Sequence, residues 1–199
     1  MGAMRTPAQH RAGLLGLLAT ASILAGCGSG VSTPPRATGT GSQVTAVPLA
    51  EQSAEYARNT PPASARMICS DEIRGEMAGA LGLDSLPAPA SSWADHVYTC
   101  IYTLPVGRAV LSVEVTPSPT AAQSRLAALR TGLGATTEQP GLGEAGWSAP
   151  NGTVLAVKDN MVLTVDPTGL PDDLGPVHEH RVDFAVVIAA GIFSCWTGG

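Results

Sequence analysis

Residues 96–116 read HVYTCIYTLPVGRAVLSVEVT, and this stretch decides the fold class. Apolar and polar side chains alternate through residues 96–104 and again through residues 109–116. Both segments are rich in Val, Ile, Tyr and Thr, which favour strands. Between them, residues 104–107 (Leu-Pro-Val-Gly) place proline and glycine where a tight turn uses them. The stretch therefore predicts a β-hairpin.

A helix is predicted upstream of this hairpin. Ser70 belongs to the residue types that cap helix N-termini, and Asp71 and Glu72 would lie in the first turn, where carboxylates interact favourably with the helix dipole. Gly82 is placed to end the helix. One face would carry three apolar side chains, Ile73, Met77 and Leu81.

Downstream of the hairpin, two further helices and a strand are predicted. Helical spacing marks residues 120–130, and Gly132 would end that helix. A weaker strand is predicted around Trp147. Apolar side chains at i, i+3 and i+4 steps predict a buried helix over residues 177–196.

A second hairpin is predicted over residues 154–157 and 161–165. Asp159 and Asn160 would form its turn, since both residue types tolerate positive φ, and Asn151-Gly152 would turn the chain into it. Strands and helices therefore follow one another in an order typical of an α+β fold. We expect a mainly antiparallel sheet with about three helices packed on it, one domain after a disordered tether.

The N-terminal residues have the form of a lipoprotein signal peptide. A basic start is followed by an apolar run over residues 12–23, which is too short to span a bilayer. Leu24-Ala25-Gly26-Cys27 closes the run with small residues before a cysteine, and the sulfur of Cys27 would take a diacylglyceryl group. We expect residues 1–26 to be removed and Cys27 to anchor the chain in the cell membrane, on its extracytoplasmic face.

The segment after the lipidated cysteine is predicted to be a tether. Residues 27–65 are rich in Gly, Ser, Thr, Pro and Ala and show no sustained apolar period, so they cannot bury enough surface to offset ordering entropy. A flexible chain of about 37 residues reaches roughly 30–35 Å. Residues 66–199 are then the extracytoplasmic α+β domain.

The charge of the mature chain argues against a nucleic-acid partner. The full sequence has 11 basic and 16 acidic residues. Removal of the leader takes away Arg5 and Arg11, which leaves nine basic residues and a formal net charge of −7. Nucleic-acid binding needs a clustered basic face, which this composition does not favour.

Three cysteines remain after lipidation, in a compartment that oxidises thiols: Cys69, Cys100 and Cys195. A helix of about 18 Å followed by a strand returning antiparallel for about 13 Å can bring Cys69 to Cys100. We therefore expect a Cys69–Cys100 disulfide, with Cys195 inert in the final helix. A bond that uses Cys195, or three free thiols, are the alternatives.

No motif points to a metal, a cofactor or catalysis. Residues 141–146 (Gly-Leu-Gly-Glu-Ala-Gly) match a dinucleotide fingerprint, but Pro140 precedes them and a strand follows, so we interpret them as a glycine-rich bend. Residues 178–180 read His-Glu-His, but on a helix the side chains of His178 and His180 would point about 200° apart, which does not suit a metal site. The sequence contains none of the common hydrolase signatures.

Several short motifs together resemble one family. They are Leu24 to Cys27, Cys69-Ser70-Asp71, Tyr98-Thr99-Cys100-x-Tyr102, residues 141–145 and Asp159-Asn160. The chain resembles actinobacterial, mycobacterial-type cell-envelope lipoproteins with a small domain of unknown function. The resemblance covers most of residues 66–199. It implies an envelope location and a fold, and it implies no established activity.

Two functions follow from these observations as expectations. The first is a membrane-anchored, non-catalytic binding or accessory module of the cell envelope, whose partner is an envelope protein. The alternative is a carrier of a lipid or other apolar ligand, because a domain poor in charge could open a pocket between sheet and helices. A hydrolase is third.

Overall fold

The computed structural model describes residues 48–175 and 179–196. The predicted signal peptide, Cys27 and much of the predicted tether precede residue 48, so they lie outside the described residues, as does His178. Nine strands and five helices are described, with a 3₁₀ turn (Met67–Cys69) after the second helix. None of these helices is both long and apolar enough to cross a membrane.

Seven strands form one sheet, and each pairs antiparallel with its neighbours in the order β1-β2-β3-β7-β6-β5-β4. They are β1 (Ala90–Ala94), β2 (Val97–Leu104), β3 (Gly107–Val115), β4 (Thr137–Glu138), β5 (Ala145–Ser148), β6 (Val154–Lys158) and β7 (Met161–Gly169). A separate two-stranded ribbon pairs β8 (Asp173–Leu174) with β9 (Glu179–His180). The predicted antiparallel α+β fold is confirmed.

Five helices accompany the sheet: α1 (Leu49–Arg58), α2 (Ala63–Arg66), α3 (Asp71–Ala80), α4 (Pro119–Leu133) and α5 (Arg181–Cys195). The helices α3 and α5 lie on one face, together with the 3₁₀ turn. On that face the inward residues of β3 are buried, among them Leu111 and Val113. The helix α4 covers β6 and β7 on the opposite face, over a smaller apolar cluster. Strand β6 is therefore buried on both sides, because its successive side chains enter different clusters.

The predicted first helix is confirmed as α3. The Ser70 hydroxyl accepts a hydrogen bond from the backbone N–H of Ile73 at 3.3 Å, which is the expected N-cap contact. Gly82 (φ 67°) follows the C-cap residue Leu81, and the N–H of Leu83 donates to the carbonyl of Ala78 at 2.8 Å. This is the arrangement in which a left-handed glycine ends a helix.

The predicted tether is wrong from Leu49 onward. Helix α1 lies within residues 27–65, helix α2 begins there at Ala63, and Ala65 is completely buried. The sequence analysis missed α1 because its small and polar residues form no apolar stripe. The helix contacts the rest of the fold through individual side chains such as Tyr56. Helical structure is therefore already present at Leu49, and a domain boundary at residue 66 is too late.

Four element predictions differ in detail from the structure. Strand β1 was not predicted, because its sequence is Ala-Ser-Ser-Trp-Ala and lacks the residues that favour strands. The final helix begins at Arg181 instead of residue 177, since the preceding two residues form β9. Helix α4 ends before Gly134 (φ 77°), two residues after the predicted Gly132. Only Asp159 (φ 54°) has positive φ in the β6–β7 turn.

Candidate functional site

The predicted disulfide is present between Cys69 and Cys100, whose Cα atoms are 5.7 Å apart. Cys69 ends the 3₁₀ turn, and Cys100 lies on the inward face of β2 with no exposed surface. Two residues further along the same face, the hydroxyl of Tyr102 donates to the carbonyl of Ile68 at 2.8 Å. Burial raises the pKa of Tyr102 well above its usual value, so its hydroxyl remains a donor. The 3₁₀ turn is thus fixed to β2 at two successive inward positions.

Cys195 is a free thiol at the C-terminal end of α5, and the alternative in which it forms the disulfide is wrong. Its sulfur lies 3.7 Å from the hydroxyl oxygen of Ser194. The rings of Phe193 and Trp196 stack with centroids 5.1 Å apart, and Lys158 donates a hydrogen bond to the carbonyl of Trp196. Lys158 is the single lysine of the chain, and its ammonium lies where the helix dipole of α5 is negative.

An aromatic cluster of Tyr56, Trp93 and His96 joins α1 to the β1–β2 hairpin. The rings of Tyr56 and His96 stack at 4.0 Å between centroids, and Trp93 lies edge-on to His96 at 6.0 Å. Trp93 also donates from its indole nitrogen to the carbonyl of Asn59 at 3.0 Å. His96 occupies the left-handed conformation with Asp95, and this pair forms the two-residue turn between the strands. The cluster therefore depends on a turn that holds the imidazole toward α1.

Three charged side chains gather at the β6–β7 turn: Glu144, Lys158 and Asp159. The carboxylate of Glu144 accepts a hydrogen bond from the backbone N–H of Asp159 at 2.9 Å, and Lys158 is bonded to Trp196 as described. Burial raises the pKa of Asp159, and the nearby carboxylate of Glu144 raises it further, whereas Lys158 lowers it. Because two of the three groups bind backbone atoms, this cluster braces the turn.

The neighbouring Asn160 completes this end of the sheet. It is 1% exposed, and its side-chain amide donates to the carbonyl of Thr116 at 2.8 Å. The Thr116 hydroxyl and backbone N–H both donate to the carbonyl of Asn160, each at 2.8 Å. The turn that the sequence predicted from positive φ is therefore held by a reciprocal pair of buried polar residues, which a local pattern could not show.

The glycine-rich segment at residues 141–146 is a bend that leads into β5, as expected. Gly143 (φ 64°) passes so close to the carbonyl of Val157 that a Cβ would lie 2.5 Å from that oxygen. A Cβ on Gly146 would lie 2.7 Å from the Cβ of Leu142. These glycines allow close packing within the bend, and the strand that follows excludes the helix N-terminus that a dinucleotide site requires.

The sequence analysis predicted no metal site. The structure describes residues 48–175 and 179–196. Among them, no group of three His, Cys, Asp or Glu side chains could hold a metal ion. Glu179 and His180 belong to β9 instead of a helix, and His178 lies outside the described residues.

Two surface pockets are lined by residues that the structure describes. One, of about 300 Å³, lies between the first half of α5 and the β4–β5 edge, where the amide of Gln139 donates to the hydroxyl of Ser148 at 2.8 Å. Val182, Asp183 and Val186 form its wall on α5. The other, of about 190 Å³, lies between the end of α1 and the start of α2 and is lined by two arginines, Arg58 and Arg66. The sequence analysis identified neither pocket, because each combines residues of different elements.

The fold and these contacts define a disulfide-linked α+β domain with two helical layers on an antiparallel sheet. Comparison with known proteins finds no family model, no curated protein and no solved structure that matches the chain.

Proposed function

We propose that the chain is a lipoprotein anchored to the extracytoplasmic face of the cell membrane, and that its domain is a non-catalytic binding or accessory module of the cell envelope. The observation that carries the proposal is the Leu24-Ala25-Gly26-Cys27 sequence after a short apolar run with a basic start. The Cys69–Cys100 disulfide supports it, since such bonds persist in oxidising compartments.

The engagement of the polar side chains supports a module without chemistry of its own. A general acid or base must reach a substrate. At the β6–β7 turn Glu144 and Lys158 are instead bonded to backbone atoms, and Asp159 is only 9% exposed. We ranked a hydrolase third among the functions. Its best candidate catalytic residues lie at this turn, and the contacts that they already make weigh against a hydrolase.

The carrier alternative receives less support from the interior of the domain. An apolar ligand would lie between the sheet and its helices. Completely buried side chains already occupy that layer, among them Met77, Leu111, Phe184 and Ile188. A partner that binds the surface, for example at the pocket beside α5, needs no change in this packing.

The anchor is tested by Cys27→Ala in the organism that makes the protein. We expect the variant to lose metabolic labelling by palmitate and to leave the membrane fraction on a carbonate wash, because no sulfur remains to carry the lipid. Cys195→Ala is the matched control, since it removes a free thiol and should keep both label and membrane association. Retention of the Cys27→Ala chain in the washed membranes would contradict the proposal.

Native mass spectrometry of the protein purified from its own envelope distinguishes the binding module from the carrier. A bound protein favours the module. A co-purifying apolar molecule of defined mass favours the carrier and would overturn our order of the two functions.

A further inference from the structure

Most of the basic side chains in the described part of the chain already have partners. Arg74 pairs with Asp71 at 3.1 Å, and Arg125 pairs with Glu114 at 2.7 Å. Three others are also engaged: Arg181 with Asp172, Arg130 with the ring of Trp147, and Lys158 with Trp196. Within residues 48–175 and 179–196, Arg58, Arg66 and Arg108 make no ion pair. Two of these three unpaired arginines line one pocket.

The chain between α1 and α2 brings these two arginines together. Arg58 is in the last turn of α1, and Arg66 ends α2. Pro61 and Pro62 lie between them and restrict the backbone that forms the pocket floor. The guanidinium of Arg66 donates from Nη1 to the carbonyl of Pro61 at 2.8 Å, which fixes its position. A guanidinium has five N–H donors, so four remain for a ligand.

The lining has the chemistry of an anion site. It consists of Arg58, Thr60, Pro61, Pro62, Ala63 and Arg66, and so combines two guanidinium groups with one hydroxyl. Among the described side chains, no carboxylate contributes to this lining, although the mature chain is acidic. The volume of about 190 Å³ is several times the roughly 30 Å³ that one water molecule occupies in the liquid, enough for a phosphate group. Arginine binds phosphate oxygens through two parallel hydrogen bonds.

We propose that the Arg58–Arg66 pocket binds a phosphate group, supplied by the headgroup of an anionic lipid in the membrane that carries the chain. The choice of a lipid as the source rests on the proposed function. Residues 28–47 separate the lipidated cysteine from the first described residue, Pro48. The sequence predicts a tether over residues 28–47, and a tether of about 20 residues would keep the pocket at the start of the domain within roughly 22–27 Å of the anchored cysteine. The two arginines would then orient the domain on the membrane.

The test uses the mature chain from residue 27 with Cys27→Ala, which has no lipid, and measures its sedimentation with phosphatidylglycerol vesicles. We expect binding that weakens as salt rises, and little binding to phosphatidylcholine vesicles. Because the chain is acidic overall, binding to an anionic surface needs a local basic site. An arginine near such a surface contributes about fivefold in affinity, so Arg58→Ala/Arg66→Ala should weaken binding about 25-fold.

The control removes the same charge elsewhere. Arg108→Ala/Arg130→Ala takes one arginine from the start of β3 and one from α4 and should leave vesicle binding within about twofold of the parent. Equal loss in both double variants, or a parent that does not bind the anionic vesicles, would overturn the proposal. If the alanine variant fails to fold by circular dichroism, Arg58→Lys/Arg66→Lys replaces it. Weaker binding is then expected, since ammonium groups lack the planar fork, and binding equal to the parent would overturn recognition by the pocket.

Inorganic phosphate separates a lipid source from a free one. If phosphate raises the melting temperature of the parent but not of Arg58→Ala/Arg66→Ala, and neither protein binds vesicles, the lipid source is overturned. Because the tested chain carries no lipid, a failed vesicle experiment would not contradict the proposal that Cys27 is the lipid anchor. Refutation of the lipid anchor would likewise not change the result of the vesicle experiment.

Discussion

The contribution of the Cys69–Cys100 bond to stability can be worked out from its place in the chain. The two residues are 31 positions apart. In the chain-entropy model, closing a loop of that length removes about 12 cal/mol/K from the unfolded state, or about 3.7 kcal/mol at 25 °C. A domain of this size is usually stable by about 5–15 kcal/mol, so the bond supplies a large share. Cys69→Ala and Cys100→Ala should each lower the free energy of unfolding by about this amount.

A double-mutant cycle tests this prediction through the coupling free energy between the two cysteines. Since either substitution removes the same bond, Cys69→Ala/Cys100→Ala should cost little more than one substitution, and the coupling free energy should be close to 3.7 kcal/mol. Cys100→Ala should cost slightly more than Cys69→Ala, because Cys100 has no exposed surface. Cys195→Ala should cost about 1 kcal/mol.

The assay for this cycle is urea denaturation followed by circular dichroism, with and without reductant. The reductant should destabilise the parent and Cys195→Ala strongly and leave the other variants unchanged. Additive losses from the two single substitutions, or a peptide map that links Cys195 to another cysteine, would refute the reasoning.

Three further predictions concern packing, charge and the N-terminal helix. Gly143→Ala should destabilise the domain by about 1–3 kcal/mol in the same assay, because its φ is 64° and its Cβ would lie 2.5 Å from the backbone carbonyl oxygen of Val157. Gly132→Ala, where nothing lies within 4 Å, should be neutral or stabilising by up to about 1 kcal/mol. Asp159 has a raised pKa in the folded state, so its contribution to stability is present below the ordinary aspartate pKa and is lost as pH rises through the folded value. Asp159→Asn should flatten this fall in a series of melting temperatures against pH, and an unchanged pH profile would count against burial of that carboxyl. Tyr56→Ala should speed amide hydrogen exchange in α1 and leave β6 and β7 protected, and equal exchange in α1 of parent and variant would show that its ring does not hold the helix.

The elements that the sequence predicted well are those whose causes are local. The hairpin strands alternate, Ser70 caps the helix that follows it, and Gly82 ends that helix, and each of these signals lies within a few residues of its effect. Helix α1 was missed because what stabilises it lies far away in the sequence: Tyr56 meets an imidazole 40 positions later. Strand β1 was missed for the same reason, since its pairing with β2 outweighs its weak propensity.

The candidate sites divide in the same way. The disulfide could be predicted because three thiols and one helix length leave few geometries, although Cys195 kept an alternative open. The arginine pocket could not be predicted. Arg58 and Arg66 are eight positions apart with two prolines between them, and that pattern in a sequence is typical of a linker. Their position on the lining of one pocket, which is a property of the fold, distinguishes these two from the other arginines that the structure describes.

The attachment of α1 has a mechanical consequence. Any pull on the chain at Pro48 loads α1 first. This helix is attached through the Tyr56–His96 ring stack, the buried side chain of Gln52 and a hydrogen bond from the Ser53 hydroxyl to the carbonyl of Pro117 at 3.5 Å. These are side-chain contacts, whereas the strands of the sheet are joined by backbone hydrogen bonds, so we expect α1 to yield first. The completely buried Ala65 and Ile68 then resist further extension, and the covalent bond from Cys69 to β2 sets its limit. The N-terminal region would act as a short extensible spring in series with a stiff body, so a domain tugged from its N-terminus could lengthen by one helix and recover without unfolding.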